Sequence, residues 1–203
     1  MTFFSNRTKC PLFVLLALAL PGCMNGPDLE PAIGPAPRPE IGSVEQTRSS
    51  ATIILLATGV RFERDETVKR IEFGSTRQQV IAELIIDGGQ FNLAKNDECG
   101  AGPMVFLDIA AHDLILHFQD NRFVGWFLDG SVTKLKTEDG IGIGSRRREL
   151  ELAPPFEIQK NSTLGIEFFA SRPDDGFIGG FLSDESENAV VESLYSGTTC
   201  FFR

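Results

Sequence analysis

Two stretches of this chain come back later in it. Ile71-Glu72-Phe73-Gly74-Ser75 returns as Ile141-Gly142-Ile143-Gly144-Ser145, at an offset of 70. Phe123-Val124-Gly125-Trp126-Phe127-Leu128 returns as Phe177-Ile178-Gly179-Gly180-Phe181-Leu182, at an offset of 54. An internal repeat constrains a fold because each copy is one supersecondary unit that buries its apolar face only against a neighbour.

The first pair predicts helix starts. Ser75 with Gln78 three residues on fits a capping box. Val80, Ile81, Leu84 and Ile85 then fall on one helical stripe, and Gly88-Gly89 supplies a glycine stop. This places a helix over 76–87. The second helix is shorter: Leu150 and Leu152 are available to bury, and Pro154-Pro155 ends it.

The second pair predicts hairpins. Leu114, Leu116 and Phe118 alternate with Asp113, Ile115 and His117, the turn runs from Gln119 to Arg122, and Phe123 begins the return. With Phe118 opposite Phe123, regular antiparallel pairing sets Leu116 against Gly125, Ile115 against Trp126 and Leu114 against Phe127. In the later copy Ile166, Phe168 and Ala170 pair with Phe177, Gly179 and Phe181, around a turn from Ser171 to Gly176. Further strands are expected at Ile53–Leu56, Val68–Phe73, Val132–Lys136 and Val190–Tyr195. The expected fold class is α+β: two tandem repeats, 51–138 and 139–203, each a short helix packed on an antiparallel β-meander sheet. A helix covers only one face of a sheet. The other face would carry Ile115, Val124, Trp126 and Leu128, a candidate partner-binding patch unless the N-terminal strand, the preceding segment or the other repeat covers it.

The N-terminus has its own grammar. Arg7 and Lys9 precede an apolar run, Pro11–Leu20, too short to span a bilayer, and Leu20-Pro21-Gly22-Cys23 closes it. This resembles the bacterial lipoprotein signal, although Pro21 is an unusual occupant of its position. The resemblance implies a signal peptide over 1–22 and a lipid on Cys23. Met24, rather than Asp, implies an outer-membrane, periplasm-facing lipoprotein. The alternative is ordinary cleavage after Ala17-Leu18-Ala19, giving a soluble periplasmic protein. Residues 23–50 hold Pro27, Pro31, Pro35, Pro37 and Pro39 with few large apolar side chains, which reads as a semi-rigid tether.

Phe73-Gly74-Ser75-Thr76-Arg77-Gln78-Gln79-Val80, and Gly142-Ile143-Gly144-Ser145 through Leu150, resemble the helix-plus-meander modules of the BamE (SmpA/OmlA) lipoproteins. They are also similar to the tandem repeats of the β-lactamase inhibitor proteins. The likeness spans about residues 68 to 200 and implies an open sheet face that receives a protein partner. Glu98-Cys99-Gly100-Ala101-Gly102 and Thr199-Cys200-Phe201-Phe202-Arg203 resemble stretches of uncharacterised small Gram-negative lipoproteins, a likeness that implies no activity.

Cys99 and Cys200 are the two cysteines left once Cys10 and Cys23 are assigned to the signal and the lipid. Exported proteins with two such thiols pair them. A loop of this length stabilises by about 4–5 kcal/mol in the chain-entropy account. There is no Cys-x-x-Cys redox motif.

Catalytic signals are sparse. His112 and His117, five apart on a strand, point to opposite faces, so no metal site is expected. No Gly-x-Ser-x-Gly elbow occurs. Gly140-Ile141-Gly142-Ile143-Gly144 lacks the spacing and βαβ setting of a dinucleotide loop, and no cofactor is expected. Arg146-Arg147-Arg148, in a first helical turn, is a candidate anion-binding cluster, weighed against a solvated helix end beside Glu149 and Glu151. The full chain carries a net −9; without Arg7 and Lys9 it has 17 basic and 28 acidic residues, or −11. That excludes the basic footprint of nucleic-acid binding. The sequence therefore points to a lipid-anchored, non-enzymatic module that binds a protein partner or aids envelope assembly. The alternative is an envelope enzyme or inhibitor-type protein acting on a ligand in the sheet concavity.

Overall fold

Strand pairing dominates the protein. The computed structural model describes residues 51–86, 89–130, 133–152, 155–171 and 176–201, all within the unit Glu45–Arg203. The signal, the tether and Cys23 lie outside the described residues. Twelve strands and two α-helices are present among those described. One meander is β4 (Asn92–Asn96), β5 (Met104–Ile109), β6 (Leu114–Gln119) and β7 (Arg122–Asp129). A second is β9 (Phe156–Ile158), β10 (Ile166–Ser171), β11 (Phe177–Leu182) and β12 (Val191–Gly197). They join edge to edge through β7 and β12 into one eight-stranded sheet of order β4-β5-β6-β7-β12-β11-β10-β9. A smaller sheet has the order β3-β2-β1-β8. Its strands are β1 (Thr52–Leu56), β2 (Gly59–Arg64), β3 (Thr67–Glu72) and β8 (Lys136–Thr137), with β8 parallel to β1.

The expected α+β class is therefore corrected to a mostly β fold of two sheets. The helices are α1 (Arg77–Ile86) and α2, only Arg147–Glu151. Pro155 lies just beyond α2, and proline disfavours helical backbone in the residue before it. Too little helix exists to cover a sheet, and β1, β2 and β3 supply core residues there instead. Ile53, Leu55, Val60 and Phe62 of the small sheet share one core with Leu107, Leu116, Trp126, Phe168, Ile178 and Leu194 of the large one. Val80 and Leu84 of α1 and Leu150 of α2 join the same core.

The helix cap falls one residue later than expected. Gln79 Oε1 accepts from Thr76 N at 2.8 Å, and Thr76 Oγ1 accepts from Gln79 N at 3.3 Å. Ser75 instead bonds by its backbone to the sheet: its carbonyl accepts from Phe123 N at 2.8 Å. Gly74 and Gly144 both turn the chain from strand to helix at positive φ, 91° and 81°. That is left-handed territory where a Cβ is strained.

Those docking bonds reveal which strands correspond. Gly74 N donates to Phe123 O, and Gly144 N donates to Val191 O. Phe123 N donates to Ser75 O, and Val191 N donates to Ser145 O. The structural counterpart of β7 is thus β12, and Phe123 corresponds to Val191. The resemblance of Phe123–Leu128 to Phe177–Leu182 is not a structural equivalence, because Phe177–Leu182 is β11, the third strand of its meander.

Both central strands carry a bulge at the same place. Phe118 pairs with Phe123 as expected, but His117 pairs with Gly125, leaving Val124 extra. Leu182 pairs with Val191 and Phe181 with Ser193, leaving Glu192 extra. An extra residue reverses the side-chain parity of everything beyond it. Leu116 consequently faces Trp126 and Leu114 faces Leu128, which moves both residues from the expected second face onto the core face.

Candidate functional site

The bulge decides what the other face of the large sheet presents. Past Val124, Phe127 turns outward beside Ile115, and past Glu192 so does Tyr195, which pairs with Phe127 across the seam. Beyond Tyr195, β11 contributes Phe177, Gly179 and Phe181, and β10 contributes Glu167 and Phe169. The result is an aromatic layer. Phe201 stacks edge-on against Tyr195 at 5.1 Å, and against Phe127 and Phe181 at 5.7 Å each. Phe169 meets Phe177 at 5.2 Å and Tyr195 at 6.3 Å. Phe127, Phe169, Phe181 and Phe201 are half-buried, and Phe177 is 38% exposed.

A carboxyl group and an imidazole are buried in this layer, alongside the Tyr195 phenol. Glu167 is fully buried and accepts a short hydrogen bond from the Tyr195 hydroxyl. The Tyr195 ring reaches it by lying over Gly179, where a Cβ would come within 2.4 Å of Tyr195 Cζ. His117, on β6, is buried beside Phe106, with ring centroids 5.2 Å apart. Its Nδ1 lies 3.0 Å from the Thr198 carbonyl. A carbonyl only accepts, so Nδ1 carries the proton and donates. Burial pushes the His117 pKa down to about 4, against the smaller upward pull of that backbone bond.

Residues 198–201 form a strap over this face. Gly197 turns the chain out of β12 at φ 71°, and Thr198 N donates to Val124 O at 2.8 Å. The strap passes so close to Gly125 that a Cβ there would sit 2.3 Å from Thr198 O. Cys200 then forms a disulfide with Cys99, in the β4–β5 connection.

The other residues expected at a site fall in separate places. Trp126 and Leu128 are fully buried in the core, and Trp126 Nε1 donates to Leu56 O of β1 at 2.8 Å. Ile115 lies on the outer face and Val124 is the half-buried bulge residue, so the four do not form one patch. Arg147 is engaged by Glu151 Oε1 at 3.1 Å and by the Glu185 carbonyl at 2.7 Å. Arg146 and Arg148 are exposed, and the backbone of Arg146 donates to Glu149 Oε2 at 2.8 Å. A groove of about 840 Å³ beside α2 is lined by Arg147, Glu151, Lys160 and Glu185 among others.

On the outer face the buried imidazole and the buried carboxyl do not form an acid–base pair. His117 and Glu167 stand on β6 and β10, four strand steps apart, or roughly 19 Å at the usual spacing. That is far beyond the hydrogen-bond reach a general acid–base pair needs. Among the described residues, no group of three His, Cys, Asp or Glu converges where a metal would sit. Sequence reasoning did not single out Glu167 or Tyr195. The available signal was a carboxylate inside the apolar run Ile166–Ala170, since Glu is almost never fully buried unless paired. No protein family, curated protein or solved structure matches the chain.

Proposed function

We propose that this is a non-enzymatic binding module of the cell envelope, tethered to the outer membrane by a lipid on Cys23 and meeting a protein partner with the outer face of its eight-stranded sheet. The observation that carries the reading is Phe177. It is an exposed ring at the rim of a continuous aromatic layer, stacked on Phe169, and partly exposed aromatic groups are the typical anchors of protein interfaces. The separation of His117 from Glu167 supports the non-enzymatic part.

A photo-crosslinking residue at position 177 of the membrane-anchored chain tests the face. The expected result is a discrete protein adduct that is missing when the probe sits at Leu152, an 89% exposed position on α2's end. No adduct at 177, or the same adducts at both positions, defeats the reading. The anchor has its own test: Cys23→Ala releases the chain from membranes, and retention after carbonate washing removes the lipid from the proposal.

A further inference from the structure

We infer that the Cys99–Cys200 disulfide is a redox-operated latch, which holds the 198–201 strap over the centre of the outer face and uncovers that face when it is reduced. The role assigned to the uncovered face rests on the binding reading above; the latch itself does not.

The geometry separates the strap from the sheet beneath it. The ladder between β12 and β7 ends with the pair Gly197–Gly125. After it, the polar ties of the strap among the described residues are Thr198 N to Val124 O, His117 Nδ1 to Thr198 O and Asn96 Nδ2 to Cys200 Sγ at 3.7 Å. Its apolar tie is Phe201, resting on Phe127, Phe181 and Tyr195. The remaining tie is covalent. By joining Cys200 to Cys99, 101 positions away in sequence, it turns these few contacts into intramolecular ones at high effective concentration. The strap lies beyond β12, outside every strand of the large sheet. Opening the bond therefore frees the strap and leaves the ladders intact.

The reaction is thiol–disulfide exchange with a dithiol. One thiolate of the dithiol attacks a sulfur of the bridge, giving a mixed disulfide and releasing the other cysteine as a thiolate that takes up a proton. The second thiol then displaces the protein sulfur. Two electrons pass to the protein, which ends with two thiols, and the dithiol ends as a disulfide.

His117 reports the state of the strap, because Thr198 covers it. The experiment follows His117 ring resonances with pH in the chain carrying residues 23–203. Three samples are compared: oxidised, reduced with dithiothreitol, and the Cys99→Ser/Cys200→Ser variant without reductant. Hydrogen exchange of the β6, β7 and β12 amides is followed in parallel. The expected result is titration near 4 when oxidised, moving up toward the ordinary value of about 6.5 in the other two samples, with the strand amides still protected. An unchanged His117 titration after complete reduction overturns the latch. So does loss of protection throughout the sheet, which makes the bridge a structural staple. Partner capture is not read here, so failure of the crosslink at position 177 leaves this result standing.

Discussion

Phe127 and Tyr195 pair across the seam between the two meanders, and an approximate twofold passes through their pair. Moving each residue of β7 forward by 68 positions reproduces the ladder: Gly125–Gly197 becomes Ser193–Asp129, and Trp126–Ser196 becomes Leu194–Leu128, all observed pairs. Only Phe127–Tyr195 maps onto itself. The bulges at Val124 and Glu192 obey the same relation. The two halves part company in chemistry. Where the second half stacks Glu167, Phe181 and Tyr195 across neighbouring strands, the first half has Phe106, His117 and Phe127. One half thus buries a carboxylate and the other an imidazole, each on a different strand.

Trp126 is a core residue, and its removal is costly. Trp126→Ala is expected to lower the unfolding free energy by about 3–5 kcal/mol, the range for large aromatic truncations in cores. Trp126→Phe keeps most of the volume but leaves the Leu56 carbonyl without its indole donor, a loss of about 1–3 kcal/mol. Urea titration of both variants checks the pair. A Trp126→Ala loss below about 1 kcal/mol is a surface value and contradicts the burial.

Gly179 sets the height at which Tyr195 lies. A methyl group there collides with the ring at 2.4 Å, so Gly179→Ala forces Tyr195 off Glu167. Overpacking of this kind costs typically about 1–3 kcal/mol. Tyr195→Phe removes the hydroxyl from a buried carboxylate without adding a clash, for a loss of about 1–3 kcal/mol. In the double variant the two losses overlap, because both break the same bond. A double-mutant cycle read by thermal unfolding checks this, and strict additivity contradicts a shared bond.

What the sequence disclosed was local. The strand–turn–helix signature around Gly74 and Gly144 was legible because positive φ there demands glycine. The β6–β7 hairpin was legible because Asp120-Asn121 makes its turn with both residues at positive φ. The face of Trp126 was not legible. Alternation predicts parity only while the ladder is regular, and the one sign of a bulge in Phe123-Val124-Gly125 is its glycine, which inside a strand marks either a bulge or a close backbone approach. The strands β2, β4, β5 and β9 were missed as well. The strand β4, Asn92-Leu93-Ala94-Lys95-Asn96, is mostly exposed at the sheet edge and has no apolar pattern. The small sheet needed long-range knowledge, since β1 pairs in parallel with β8, which is only two residues long. The strap was visible only as Cys200 and its neighbours, and spacing alone does not say that a chain crosses the face it has just helped to build.

His117 makes stability depend on pH in a defined window. Its folded pKa, about 4, lies below the unfolded value near 6.5. The unfolded chain therefore binds the proton more readily, and stability rises with pH between those values. The contribution is complete above about pH 6.5 and is lost as pH falls toward 4. Integrated over the window, it amounts to about 3–3.5 kcal/mol. Carboxylates also titrate near the lower end, so the measurement is a difference. Unfolding free energies of the wild type and of His117→Gln are compared at pH 7.5, 6 and 5. Between the first and last of these, the wild type is expected to lose the larger amount. Parallel curves would mean that the folded protein carries His117 with an ordinary pKa, and that the strap and Phe106 do not shield it from water.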